Sequence, residues 1–104
     1  TAAHPAILRL IKNTVDVSER LHIPVSLCGE MSSDPLFTMF LVGLGIRELS
    51  LAPQALPRIK QLIRSISYSQ AAGVAVAALA IDNARDVKAL LQKNLPDYIR
   101  LTVS

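Results

Sequence analysis

The chain has no tryptophan, only 4% aromatic residues and a single cysteine. One cysteine cannot close an internal disulfide, so a reducing cytoplasmic compartment is the expectation. Stacking aromatics interleaved with basic residues are missing. The 11 Lys and Arg residues are scattered and leave a formal charge of only +3, so no nucleic-acid partner is expected. Long apolar runs are missing too. The longest, Ala71 to Ile81, contains Gly73 and falls well short of the ~20 residues that span a bilayer. No membrane partner is expected, and no signal peptide, because no basic region leads into an apolar stretch at the N-terminus. There is no glycine-rich phosphate loop with its lysine, and no Ser/His/Asp order of a hydrolase. His4 and His22 have no companions at ligand spacing, so histidine is not expected to bind metal.

What is present is aliphatic. Hydrophobic residues make up 51% of 104 residues, the size of one domain with a modest core. The chain opens almost at a helix start, which suits a piece of a larger protein. His4-Pro5 reads as that start, and Ile7, Leu8, Ile11 and Val15 recur at helical spacing to about Leu21. His22-Ile23-Pro24 breaks the helix, since proline disfavours helical geometry just before it. Pro24 to Leu27 reads as a short strand, with a loop from Cys28 to Ser33. Asp34-Pro35 starts a nearly all-apolar helix to about Val42, ended by Gly43-Leu44-Gly45. Arg47 to Leu51 alternates like a second strand. Leu56, Ile59, Ile63 and Ile66 form a helical stripe, Ser69 caps a further helix through Ile81, and a last helix ends near Pro96. Two strands joined by a helix imply a parallel crossover, and parallel sheets are normally covered on both faces. Two short strands therefore call for more strands or a partner copy.

The residues that carry chemistry cluster after the first strand. In Val25-Ser26-Leu27-Cys28-Gly29-Glu30 an apolar run stops at a thiol. A lone cysteine is more often a small buried apolar residue than a reactive group. Against that, the carboxyl ends of parallel strands are where α/β folds bind ligands, and Gly29 would let backbone approach one closely. A thiol titrating near ~8.5 is mostly protonated at neutral pH, so Cys28 is a candidate general acid as well as a nucleophile. Glu30 is a candidate ligand or base, though a solvated loop residue is the commoner case. Asp34 is best explained as a cap. Arg58 and Lys60 open the helix after the second strand, where barrel enzymes often hold phosphate, but a solvated basic face is the more ordinary meaning. Lys60 and Arg64 read as an exposed pair.

Leu27-Cys28-Gly29-Glu30-Met31, then Asp34-Pro35 and Gly43-Leu44-Gly45, closely resemble the phosphoenolpyruvate (PEP)-utilising enzymes. Within them the chain looks most like enzyme I of the bacterial phosphotransferase system. His4-Pro5-Ala6-Ile7-Leu8-Arg9-Leu10-Ile11-Lys12 matches that family's helix before the cysteine strand. Leu49-Ser50-Leu51 and Leu56-Pro57-Arg58-Ile59-Lys60 match its last barrel strand and following helix. The likeness is strong from about His4 to Ile66 and looser beyond. It implies an α/β fold, the C-terminal part of a (β/α)₈ TIM barrel, with barrel elements over about 4–66 and helices over about 67–104. It also implies a parent that moves the phosphoryl group of PEP to its own histidine and on to a histidine phosphocarrier protein, releasing pyruvate. By that resemblance Cys28 is the proton donor, Gly29 and Glu30 lie on the substrate side, Mg²⁺ is bound by residues outside this segment, and the parent is a homodimer. The sugar-transport and nitrogen-regulatory branches are not separated. Ser32-Ser33 departs from the family's usual small residue and glycine. A segment holding only the proton donor is expected to be inert alone. The rival expectation is a non-catalytic dimerisation or interaction module in which Cys28 is core.

Overall fold

The computed structural model describes residues 3–27 and 30–96. The first helix, α1, spans Pro5–Leu21. His4 caps it, its Nδ1 accepting from the Ala6 amide at 3.1 Å, and proline sits at the first helical position. Leu8 and Val15 are buried and Ile11 packs against the core, as the spacing predicts. The stop is not proline's work. His22 turns into the left-handed region at φ 56°, and the Ile23 amide donates back to the Ser18 carbonyl at 2.9 Å. The helix is therefore closed two residues before Pro24 by a left-handed cap.

Two strands follow the expected parallel plan but are shorter than the sequence suggests. β1 is Ser26–Leu27 and β2 is Glu48–Leu49, paired in parallel with Ser26 opposite Glu48 and Leu27 opposite Leu49. Between them the expected loop is instead a single helical turn, α2, Glu30–Ser33. Then comes α3, Pro35–Gly43, capped by Asp34 Oδ1 accepting from the Leu36 amide at 3.0 Å. Gly45 at φ 96° supplies the left-handed residue that ends this stretch, with the Ile46 amide reaching the Leu41 carbonyl at 3.3 Å.

After β2, one 3₁₀ turn over Pro53–Ala55 leads into α4, Leu56–Ser65. Its expected apolar stripe is rotated. Ile59 and Leu62 are buried, whereas Leu56 and Ile63 are each 42% exposed. Leu62 and Ile63 are adjacent apolar residues about 100° apart on the helix, and periodicity alone could not tell which one faces inward. α5 spans Tyr68–Leu79 and is capped by Ser67, not Ser69, because Ser67 is the residue with extended geometry whose Oγ accepts from the Gln70 amide. α5 also stops at Leu79, short of Ile81. α6, Ala84–Lys93, begins at Asn83, whose Oδ1 accepts from the Asp86 amide at 2.8 Å, and it ends three residues before Pro96.

The core is built around α3. Leu36, Phe37, Met39, Phe40 and Leu41 are all buried, with Leu62 of α4, Ala71, Val74, Ala75 and Ala78 of α5, and Val87 and Leu91 of α6 in the same cluster. The α3–α5 crossing is close because Gly43 faces the α5 backbone. A Cβ there would sit 2.1 Å from the Ala71 carbonyl oxygen. Arg47, just before β2, lies over the Tyr68 ring at 5.6 Å and ties the strand approach to the start of α5. No single helix among the described residues is long and apolar enough to cross a membrane.

Three stability predictions follow from these contacts, each read by chemical denaturation. Gly43→Ala should lose roughly 1–3 kcal/mol or more, because the clash is with backbone that cannot rotate away. Asp34→Ala should lose about 1 kcal/mol while Asp34→Asn stays near the parent, since either Asp or Asn caps a helix. Thr38, inside α3, has a buried Oγ1 with no hydrogen-bond partner. Thr38→Val should therefore gain about 1 kcal/mol by removing an unpaired polar atom at constant shape.

Candidate active site

The carboxyl ends of β1 and β2 lie side by side because the parallel register leaves no alternative. The ladder continues one step past β2, where the Ser50 amide donates to the Leu27 carbonyl at 2.8 Å. Immediately after Leu27 the chain passes through Cys28 and Gly29, which lie outside the described residues, to Glu30, the first residue of α2. The expected thiol position therefore falls outside the described residues, and the structure places only its neighbours, Leu27 at the end of β1 and Glu30 at the start of α2. The side-chain roles expected of Cys28, Gly29 and Glu30 belong to the proposal below.

The α2 turn is anchored by Ser32 and Ser33, the two residues that depart from the family pattern. Ser32 is fully buried, and its Oγ donates to the Ser50 carbonyl at 2.6 Å. Ser33 Oγ accepts from the Ala52 amide at 2.9 Å. Both bonds join the segment after β1 to the segment after β2. The only sequence signal was two adjacent hydroxyls directly before the Asp34 cap, and a serine pair there reads as ordinary turn polarity. α2 forms where a loop was expected because these hydroxyl bonds hold its single turn against the neighbouring strand end.

The remaining candidates fall apart spatially into separate local roles. Asp34 caps α3. His4 and His22 cap opposite ends of α1. Arg58, Lys60 and Arg64 are exposed on α4, with Lys60 and Arg64 at the spacing of a solvated pair. Among the described residues no three His, Cys, Asp or Glu side chains converge as a metal site. A cavity of about 500 Å³ opens at the amino ends of the strands, lined by residues including Glu19, His22, Val25 and Arg47. That is the opposite end from the one where parallel α/β sheets bind ligands.

Comparison with known proteins agrees with this geometry. The family described as PEP-utilising enzyme, PEP-binding domain, matches residues 1–68, which include both strands and the turn between them. The chain is 47% identical over 60 residues to the phosphoenolpyruvate-protein phosphotransferase of Cupriavidus necator, covering 58% of this chain and 10% of the relative. It is 35% identical over 92 residues to the protein of the same name from Haemophilus influenzae, covering 88% of this chain and 16% of that one. It is also 40% identical over 87 residues to the multiphosphoryl transfer protein of Rhodobacter capsulatus, covering 84% and 10% respectively. The chain thus spans only about a tenth to a sixth of the length of these relatives. With its two parallel strands inside the matched segment, the chain belongs to the PEP-utilising enzyme family, in the part described as the PEP-binding domain.

Proposed function

We propose that this chain is the C-terminal segment of a phosphoenolpyruvate-protein phosphotransferase and completes its PEP-binding (β/α)₈ barrel. The observation that carries the reading is the parallel pair inside the family match, with β1 ending at Leu27, the residue before Cys28 in the sequence. In this reading the phosphoryl group of PEP passes to a histidine elsewhere in the protein, breaking its bond to the enol oxygen. The enolate left behind takes the Cys28 S–H proton at carbon 3, giving pyruvate and a thiolate that is reprotonated from solvent. The phosphohistidine then passes its group to a histidine phosphocarrier protein, in either the sugar-transport or the nitrogen-regulatory branch of a cytoplasmic pathway.

A protonated thiol is the right kind of group, because a carbon acid in the making needs a donor whose ordinary pKa lies near the working pH. Gly29 would keep the approach to the substrate open, and Glu30, the first residue of α2, would lie on the substrate side. Mg²⁺, when bound, would supply charge neutralisation on the phosphoryl group, from ligands outside the described segment. Positioning and charge stabilisation dominate phosphoryl transfer, so this segment alone should have no turnover.

An uncovered apolar row supports membership of a larger body. Ile7, Leu10, Val17 and Leu21 of α1, with Ile23 beyond it, are 42–64% exposed. An apolar row of this kind calls for burial against further chain or a second copy. It favours the homodimeric parent, and it is also the one observation that favours the rival, a non-catalytic dimerisation module with Cys28 as core.

The two are separated in the full-length protein. Cys28→Ala should leave the affinity for PEP within about threefold and lower pyruvate formation by about 10²–10⁴-fold. PEP should also protect Cys28 from alkylation in the parent protein. Undiminished turnover by the variant would remove the thiol from the reaction and leave the module reading in place.

A further inference from the structure

We infer that Ser32 and Ser33 are positioning residues that lock the α2 turn, which follows Cys28-Gly29 in the chain, to the adjacent strand end; their catalytic consequence rests on the function proposed above. Three hydrogen bonds carry the inference, and all lie in described residues. The Ser50 amide donates to the Leu27 carbonyl at 2.8 Å. Ser32 Oγ donates to the Ser50 carbonyl at 2.6 Å, and Ser33 Oγ accepts from the Ala52 amide at 2.9 Å. The first holds the residue before Cys28. The other two hold the helical turn after Gly29.

Covalent connectivity does the rest. Cys28 and Gly29 are the only residues between Leu27 and Glu30, so both ends of that bridge are tied to one short stretch, Ser50–Ala52. The two serines act with opposite polarity, one as donor and one as acceptor, and together with Leu27 they satisfy both backbone groups of Ser50 and the amide of Ala52. Ser32 is fully buried, where a hydrogen bond is electrostatically stronger than in water and an orphaned carbonyl is costly. The effect of the two hydroxyls is on where the two-residue bridge can lie. A general acid must come within about 2.6–3.2 Å of the atom it protonates, and a displacement of about 1 Å can lower a rate by about 10²-fold.

The test uses the full-length protein. Ser33→Ala removes the acceptor for the Ala52 amide, whereas Ser33→Thr keeps an oxygen there. Ser33→Ala and Ser32→Ala should each lower kcat for pyruvate formation by about tenfold with KM for PEP within about twofold, the pattern of a lost transition-state alignment. Ser33→Thr should recover kcat to within about twofold of the parent. If Ser32→Ala does not fold, the Ser33 pair decides. An unchanged kcat in folded Ser33→Ala, or a rise in KM alone, overturns the inference, as does a Thr variant no better than Ala. Cys28→Ala measured alongside keeps the two ideas apart, since its full turnover sinks the proposed function rather than the lock. In that event the alkylation rate of Cys28, followed by peptide mass spectrometry, reads the lock directly. It should rise about threefold in Ser33→Ala and return in Ser33→Thr, following the accessibility of the thiol. No change there overturns the lock itself.

Discussion

Everything in this fold hangs from the burial of one short helix. α3 is apolar nearly all round, and such a helix is stable only where neighbours cover every face. α4, α5 and α6 provide that cover, and the closest approach depends on Gly43 having no side chain to hold the α5 backbone away. An α3 fixed in this way fixes its own start. Asp34 caps it, and Asp34 follows Ser33 directly, so the burial of α3 sets the place from which the α2 turn must spring. The geometry of the strand-end turn is thus inherited from core packing on one side and from the strand pair on the other.

The strand pair contributes direction more than strength. Two residue pairs in parallel register contribute little stability alone, since an isolated two-stranded element is marginal in water. What the register does is bring the chain after β1 beside the chain after β2. The serine hydroxyls then do what further ladder bonds would do in a longer sheet: they extend the connection beyond Leu27 and Leu49 by side-chain contacts to backbone. That also explains why the strands are so short. Past Ser50 the pairing is taken over by Ser32 and Ser33, and the backbone is free to turn into the Pro53–Ala55 helical turn.

Much of this was legible in the residues, and the exceptions share a cause. The starts at Pro5 and Pro35 were readable because proline and a capping side chain act within a few residues. The parallel relation followed from strand, helix, strand order. The rotated face of α4 was not readable, because Leu62 and Ile63 are both apolar and only the position of α3 selects between them. Ser67 rather than Ser69 caps α5 for a similar reason: both are serines, and the extended backbone at Ser67 depends on how the chain leaves α4. His22 stopped α1 where proline was expected to, since a left-handed residue other than glycine leaves no mark in a pattern of polarity. For the site, the end of the apolar run Val25-Ser26-Leu27 marked the end of β1. The serine contacts span 18 and 19 positions in sequence, and no local pattern encodes a bond over that distance.

The two apolar rows of α1 bring these points together. One row, Leu8, Ile11 and Val15, faces the core, and the other, Ile7, Leu10, Val17 and Leu21, faces outward with much of its surface open. A helix that must be covered on two sides is common between layers of a large domain and unfavourable on the surface of a small one. The row runs along the helix that leads into β1, so whatever covers it also constrains the amino end of the strand that carries the thiol turn. Core packing through α3 restrains the α2 turn from its far end, the Ser50–Ala52 stretch restrains it from the side, and cover on α1 would restrain the amino end of β1. A proton donor to a short-lived enolate needs this kind of fixity, because its useful range of positions is far smaller than the freedom of an untethered loop. The proposed chemistry is therefore served by the packing of the described neighbours, since Leu27 before Cys28 and the α2 turn after Gly29 are both bonded to the Ser50–Ala52 stretch.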